Sequence, residues 1–384
     1  MKLIRIVLYT LAGAVSLFLI FLLYATLDDY KPGLVEPIFS NDQPDVLSDS
    51  GRLTLLNWNI GYCGLDKSMD FFYDGGKNMR PSKDGVVENL KGVLETLSPY
   101  GSFDFILLQE VDRSSKRSYG INMQQIIGEH FSDHLNFYGK NYDVAFVPIP
   151  VKEPMGKVNS GLLTLTKHTP ISVDRFSFPG NYAWPMGVFM LDRCFMVNRY
   201  KLGDGHQASG DGHQASGDGH QASGDGHQAS GDRHHPQEKE QKELVLINTH
   251  NSAYDDGTLR QGQMDYLKGL LLDEYKKGNY VIVGGDWNQT PYGLKPELPG
   301  YVFDTINLTY IDKDYPASDW TWAYDSITPS NRRVAVPYNK ETSLTTVIDY
   351  YLVSPNIQLE HVRTIDVGFA YSDHQPVEMI VQLK

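Results

Sequence analysis

The sequence predicts an α/β domain with sheet at its centre, carried behind one apolar N-terminal helix. Three observations predict it. Residues 6–25 form an almost unbroken apolar stretch. Beyond it, strand-like apolar runs alternate with two stretches of helical period, the pattern of a layered α/β domain. Six of the apolar runs end in or carry a residue able to bind a metal, a phosphate or a proton: 53–59, 103–110, 244–250, 280–288, 346–354 and 370–374.

In chain order, the first element is the apolar stretch. At about 1.5 Å per residue it spans roughly 30 Å as a helix, the thickness of a bilayer core. Lys2 and Arg5 precede it and Asp28 and Asp29 follow, so its first end should stay cytoplasmic and the rest should lie on the extracytoplasmic side. A cleaved signal peptide is the alternative; its apolar region is usually about 7–15 residues before an A-x-A site, which Leu23-Tyr24-Ala25 fits poorly. Residues 1–27 therefore read as an uncleaved signal anchor. Residues 28–51 are rich in Asp and Pro without periodicity and read as a linker. Residues 52–384 read as the main folded domain.

Strands are expected at 53–59, 103–110, 142–149, 160–166, 189–202, 244–250 and 280–286, with mostly strand and loop afterwards. Helices are expected at 82–97 and 260–277. In the first, Ser82 can cap, and Val86, Leu90, Val93 and Leu97 share one face. The second aligns Met264, Leu267, Leu271 and Tyr275, and Gly278 can end it. Residues 203–232 interrupt this order. They hold GDGHQAS four times in tandem and then Gly-Asp. Such a composition buries too little apolar surface to order itself, and a flexible chain gives its histidines no fixed metal geometry. It reads as an expanded loop at a strand connection, at small entropic cost.

The chain has 34 Lys and Arg and 47 Asp and Glu. Two of the basic residues lie in the first 26, so the remainder carries 34 − 2 = 32 basic against 47 acidic, a net of −15. That disfavours tight binding of a long polyanion, although a bound divalent ion can reverse the sign locally. The small basic clusters, Lys116/Arg117 and Arg332/Arg333 among them, read as solvated surface. Cys63 and Cys194 are the only cysteines; one disulfide or two free thiols are both compatible with them.

Hard cations such as Mg²⁺ take oxygen ligands and usually one or two carboxylates; Mn²⁺ suits the same donors. Glu110, at the end of an apolar strand, is such a candidate. Asn59 shares a strand face with Asn57 and could support the ion or a phosphate oxygen. In 284–288, Asp286 can take a proton from water and Asn288 can donate to a phosphate oxygen, while an Asx-type turn is the plainer reading. Asp373 and His374 pair a carboxylate with an imidazole, and Asp349 could orient that ring. His250 could serve as a proton donor to a leaving oxygen.

The runs NWNIG, LLQEVD, INTHNS, GGDWNQTP, IDYYLVS and SDHQPV, in that order, resemble the endonuclease/exonuclease/phosphatase superfamily, with deoxyribonuclease- and neutral sphingomyelinase-like character. The resemblance covers about 52–384 without the insertion. It implies a four-layered α/β sandwich, two facing mixed sheets flanked by helices, and Mg²⁺-dependent phosphoester cleavage by in-line attack of water. It implies that Asn59 and Glu110 serve the metal, that Asp373 supports the metal or His374, and that Asp286 orients or deprotonates the water. By the same resemblance Asn288 holds the phosphate, His374 contacts it with Asp349 behind, and His250 stabilises or protonates the leaving group. Ser160 and Gly161 would shape the site floor. Unlike apurinic endonucleases, this chain has the His at 250; the carboxylate that partners it in deoxyribonucleases is not placed by the sequence. Residues 61–82 form either a wall of the pocket or a packed surface loop. The favoured function is a membrane-tethered phosphodiesterase or phosphatase acting on a lipid head group or small phosphoester. The alternatives are an extracytoplasmic nuclease of the deoxyribonuclease type and, least supported, a non-catalytic binding module.

Overall fold

The computed structural model describes residues 1–48, 51–203, 241–253, 257–295, 297–305 and 308–384. Nearly all of the GDGHQAS segment lies outside the described residues.

In chain order the elements are α1 (Lys2–Asp28), β1 (Val35–Ser40), β2 (Val46–Leu47), β3 (Arg52–Asn59), α2 (Lys83–Leu97), β4 (Phe105–Asp112), α3 (Met123–His130), β5 (Leu135–Val147), β6 (Gly156–Thr166), β7 (Ser172–Ser177), β8 (Cys194–Leu202) and β9 (Glu243–His250). They continue with α4 (Thr258–Lys276), β10 (Tyr280–Asp286), β11 (Val302–Phe303), β12 (Thr321–Ala323), β13 (Asn331–Arg332), β14 (Leu344–Thr346), β15 (Asp349–Val353), β16 (Ile357–Thr364) and β17 (Val377–Leu383). One sheet runs β1-β7-β8-β9-β10-β15-β12, with β2 beside β8. The other runs β16-β17-β3-β4-β6-β5, and β11-β14-β13 form a small third sheet.

The two large sheets face each other over an apolar layer that includes Leu53, Leu55, Phe105, Leu107, Leu246, Ile282, Tyr351 and Met379. Alternation along β3 and β4 sends Leu56, Trp58, Ile106 and Leu108 outward, where Val86, Leu90, Val93 and Leu97 of α2 and Met123 and Ile127 of α3 cover them. On the opposite side Met264, Leu267 and Leu271 of α4 cover Val245, Ile247, Val281 and Val283. Helix, sheet, sheet, helix is the four-layered sandwich expected. Ser82 caps α2 by accepting from the Gly85 N–H at 3.1 Å, and Gly278, at φ 89°, follows the end of α4.

Several expectations change. The segment 28–51, read as a linker, contributes β1, antiparallel to β7, and β2, parallel to β8. The sheet edge captures these short strands although no periodicity marks them. Residues 370–374 are loop, not strand, ahead of β17. The strand expected from 189 begins at Cys194. Helix α3 is too short for its period to stand out. Cys63 and Cys194 are separate buried thiols, which excludes the disulfide. Arg117 and Arg332 are buried, 6% and 1% exposed, so they are not solvated surface.

Helix α1 is exposed along most of its length, as a membrane span would be, and meets the domain only near its end. Leu22 and Ala25 are buried there. Phe21 stacks on Phe189 with centroids 5.8 Å apart and meets Phe146 edge-on at 6.1 Å.

Candidate active site

The register of the first sheet brings three of the expected residues into one row. Asp286 of β10 pairs with His250 of the parallel β9 and with Asp349 of the antiparallel β15. Gly285 makes the β9–β10 contact possible: a Cβ there would stand 2.0 Å from the Thr249 carbonyl oxygen. From the facing sheet comes the end of β3, with Asn59, beside β4, with Glu110. Glu110 sits in a register shift between Leu108 and Val111 at φ 55°, a bulge of the kind that re-aims a side chain. A buried amide ladder ties the sheets beneath the site. Gln109 Nε2 donates to Asn57 Oδ1 and to Asn248 Oδ1, both at 2.8 Å, and Asn57 Nδ2 donates to the Gly285 carbonyl at 3.1 Å.

Asp286 is the hub. Its Oδ2 accepts from Asn59 Nδ2 at 2.9 Å and lies 3.5 Å from His250 Nε2 and 3.8 Å from His374 Nε2. Its Oδ1 accepts from the Asn288 N–H at 2.9 Å. The Asn288 side chain donates to the Asn251 carbonyl at 2.9 Å. His374 Nδ1 is 2.7 Å from Asp349 Oδ2, and that oxygen also accepts from Ser330 Oγ at 2.8 Å. His374 Nε2 lies 3.0 Å from Asn331 Nδ2 and 3.9 Å from Asp373 Oδ2. Asn59 turns its nitrogen to the carboxylates, 3.5 Å from Glu110 Oε1, while its oxygen accepts from the Gly61 N–H at 3.0 Å. In this arrangement Asn59 orients Asp286 and Glu110 rather than presenting an oxygen to the cleft.

The two histidines differ in charge. Burial works against a proton on His374, but Asp349, Asp373 and Asp286 outweigh it and raise its pKa well above the ordinary imidazole value. His250 goes the other way: burial, with Arg193, His374 and Arg117 nearby, holds it neutral. Its Nδ1 has no hydrogen-bond partner among the described residues; the carboxylates Asp286 and Glu110 lie off Nε2, at 3.5 and 4.0 Å. The buried carboxyl of Asp373 is pushed up to about 7, chiefly by desolvation; Glu110 adds to this while His374 opposes it. Crowded, buried oxygen donors of this kind fit a hard cation, whose charge would offset their repulsion. Asp286, Asp349 and His374 also lie close enough to share an ion, but the His374–Asp349 hydrogen bond already occupies that pair.

Sequence reasoning missed two arginines. Arg117 binds Asp112 through Nη2 at 3.0 Å and Nε at 3.2 Å, lies 3.8 Å from Glu110 Oε2 and covers the Tyr62 ring at 3.8 Å. Its Nη2 also donates to Ser160 Oγ at 3.2 Å. The available signal was Asp112: a carboxylate in a buried strand demands a cation. Arg332 donates to the Asp66 carbonyl at 2.6 Å. Tyr62, Leu65, Phe71 and Tyr73 line the cleft above the site while Tyr62, Leu65 and Phe71 pack together, so residues 61–82 are both pocket wall and packed loop.

Two facing sheets with buried carboxylates, amides and imidazoles at one shared edge define an α/β-sandwich protein of the phosphoester-hydrolase type. The chain belongs to the endonuclease/exonuclease/phosphatase family, whose model matches residues 56–374 and whose members are generally phosphoester hydrolases. Among solved structures it is similar to an endonuclease/exonuclease/phosphatase from Beutenbergia cavernae, at 16% identity and TM-score 0.49, covering 86% of this chain and 72% of that one. It is similar to D. rerio TDP2 complexed with a single-strand DNA product, at 12% identity and TM-score 0.48, covering 86% and 98%. It is also similar to the human Nocturnin catalytic domain with bound sulfate, at 13% identity and TM-score 0.47, covering 89% and 97%. No curated protein sequence matches it.

Proposed function

We propose that this chain is a divalent-metal-dependent phosphoester hydrolase, tethered to a membrane by α1 with its domain on the extracytoplasmic side, acting on a lipid head group or small phosphoester. The observation that carries the reading is the Asp286 hub, with a charged and a neutral imidazole within 4 Å of one carboxylate oxygen. Glu110 and Asp373 would hold Mg²⁺ or Mn²⁺, with Asn59 steadying Glu110, and the ion would supply charge stabilisation to a phosphate oxygen.

The side chains divide the remaining work. Asp286 Oδ2 accepts a proton from the attacking water, its position fixed by Asn59 and by the Asn288 N–H. His374, held protonated and oriented by Asp349, donates from Nε2 to the phosphate; the Asn331 amide, whose NH2 is also a donor, turns away from that nitrogen to leave its single N–H free. Neutral His250 donates a hydrogen bond to the leaving oxygen as its P–O bond breaks, and the proton taken up by Asp286 passes to that oxygen or to solvent. Asn288 holds a phosphate oxygen. The net acidity of the domain supports a lipid or small ester over a long polyanion.

The test uses the full chain in detergent micelles with Mg²⁺ and, in parallel, bis(p-nitrophenyl) phosphate, phospholipid, plasmid DNA and RNA. Turnover of the small ester or the lipid is expected. Rapid nicking of DNA without either would overturn the substrate class.

A further inference from the structure

The cleft above Asp286 is large and two-ended. Its volume is about 1080 Å³, at the upper limit of small-molecule pockets, which run about 300–1,000 Å³. Glu110, Asp286 and His374 line it where the two large sheets meet, and Phe18, Phe21 and Leu22 of α1 line it beside Phe189, on which Phe21 stacks. A soluble phosphoester would fill only the polar end. The apolar end is built from the face of α1 that meets the domain, so the helix is a wall of the cavity as well as an anchor.

Helix length sets where that wall lies relative to a bilayer. The 27 residues of α1 give about 40 Å at 1.5 Å per residue, against a hydrocarbon core of about 30 Å. The apolar stretch 6–25 fills the core, and the helix from Thr26 onward stands outside it. Phe18, Phe21 and Leu22 then lie in the last turns inside the core, so this part of the cleft opens to hydrocarbon. The rim beside them is apolar and unburied: Ile149 is 46% exposed, Trp184 64% and Met186 54%. Trp184 Nε1 donates to Thr26 Oγ1 at 3.1 Å, placing an indole at the end of the helix, where membrane proteins concentrate tryptophan. Phe189, Leu191 and Met155 line the same cleft; Tyr142 Oη donates to the Phe189 carbonyl at 2.9 Å, and the Arg117 guanidinium, 6.0 Å from the Tyr142 ring, lies 3.8 Å from Glu110 Oε2, which joins the α1 side to the polar side.

We propose that a membrane phospholipid enters this cleft laterally along α1, its acyl chain lying against Phe18, Phe21, Phe189 and Met155 while its phosphate reaches Asp286 and His374. The inference rests on the hydrolase reading above and adds the substrate's apolar half and its route. It follows from one cavity having hydrocarbon chemistry continuous with a membrane-spanning helix at one end and phosphate chemistry at the other.

The test places the full chain in vesicles of palmitoyl-oleoyl phosphatidylcholine and phosphatidylglycerol in equal parts, doped with the same lipids bearing a diazirine midway along one acyl chain. Irradiation and peptide mapping should label Met155 and Leu191, which lie off the helix inside the cleft. Label confined to residues 2–28 would show a helix merely surrounded by lipid and would overturn the proposal. The exposed-rim variants Ile149→Asp and Met186→Asp, which put charge on the entry route without opening the core, should lower the ratio of phospholipid to bis(p-nitrophenyl) phosphate turnover about tenfold; an unchanged ratio would also overturn it. Hydrolysis of bis(p-nitrophenyl) phosphate without cleft labelling removes the lateral route and leaves the hydrolase reading standing. No Mg²⁺-dependent hydrolysis of any ester removes that reading and this inference with it.

Discussion

Replacing Arg117 by Leu should cost far more than loss of a surface charge. Its guanidinium grips Asp112 at 3.0 and 3.2 Å, and Asp112 is fully buried. Ser118 Oγ, at 2.8 Å, would be the remaining side-chain donor to a charge with no access to water. Removing one partner of a buried pair costs about 3–5 kcal/mol; an exposed pair would cost about 0–1 kcal/mol. The lost contact with the Tyr62 face is part of the same side chain, so it is not added separately. The assay is urea unfolding of the full chain in micelles, followed by tryptophan fluorescence, for Arg117→Leu, Asp112→Leu and the double variant. The double variant should recover much of the loss, giving a coupling energy of about 2 kcal/mol or more. A loss below about 1 kcal/mol for Arg117→Leu, or no coupling in the cycle, would refute the reasoning.

Other sites give sharp outcomes. Burial would raise the Glu274 pKa, but Arg199, Lys277 and Asn279 hold it down to about 2 from an ordinary 4.5. A depressed carboxylate contributes fully above its unfolded pKa and loses that contribution as pH falls through the folded value. Glu274→Gln should therefore cost on the order of 2 kcal/mol at pH 7 and little near pH 2, read from urea midpoints. Asp349→Asn removes the carboxylate charge that keeps His374 protonated and should lower kcat on bis(p-nitrophenyl) phosphate about 10²-fold or more with KM little changed; an unaltered kcat would dismiss the dyad. Gly285→Ala drives a Cβ into the Thr249 carbonyl and should destabilise by more than about 3 kcal/mol; an unfolding midpoint equal to wild type would contradict the close β9–β10 approach.

The long apolar runs at 53–59, 103–110, 244–250 and 280–286 were legible because each is buried on both faces and ends in a polar residue that turn chemistry does not require. Register was not legible. Nothing in the sequence states that Asp349 lies opposite Asp286, and only β10–β15 pairing makes those two neighbours. The short strands β1 and β2 depend on the edge they join, so no local period reveals them. Arg117 and Arg332 were misread because charge runs in a sequence look alike whether they face water, a buried carboxylate as Arg117 does, or buried backbone carbonyls as Arg332 does. Charge at His250 and His374 was likewise hidden. It depends on which histidine has carboxylates beside it without an opposing guanidinium, and both lie at strand or loop ends of similar composition.

The most direct test is bis(p-nitrophenyl) phosphate hydrolysis by the full chain in micelles, measured after EDTA treatment, after restoring Mg²⁺, and for Glu110→Gln and Asp286→Asn under the same conditions. Abolition by EDTA, recovery with Mg²⁺ and a fall of about 10²-fold or more in each variant are expected. Activity that persists without a divalent ion, or that survives both substitutions nearly intact, would contradict the assignment of this site.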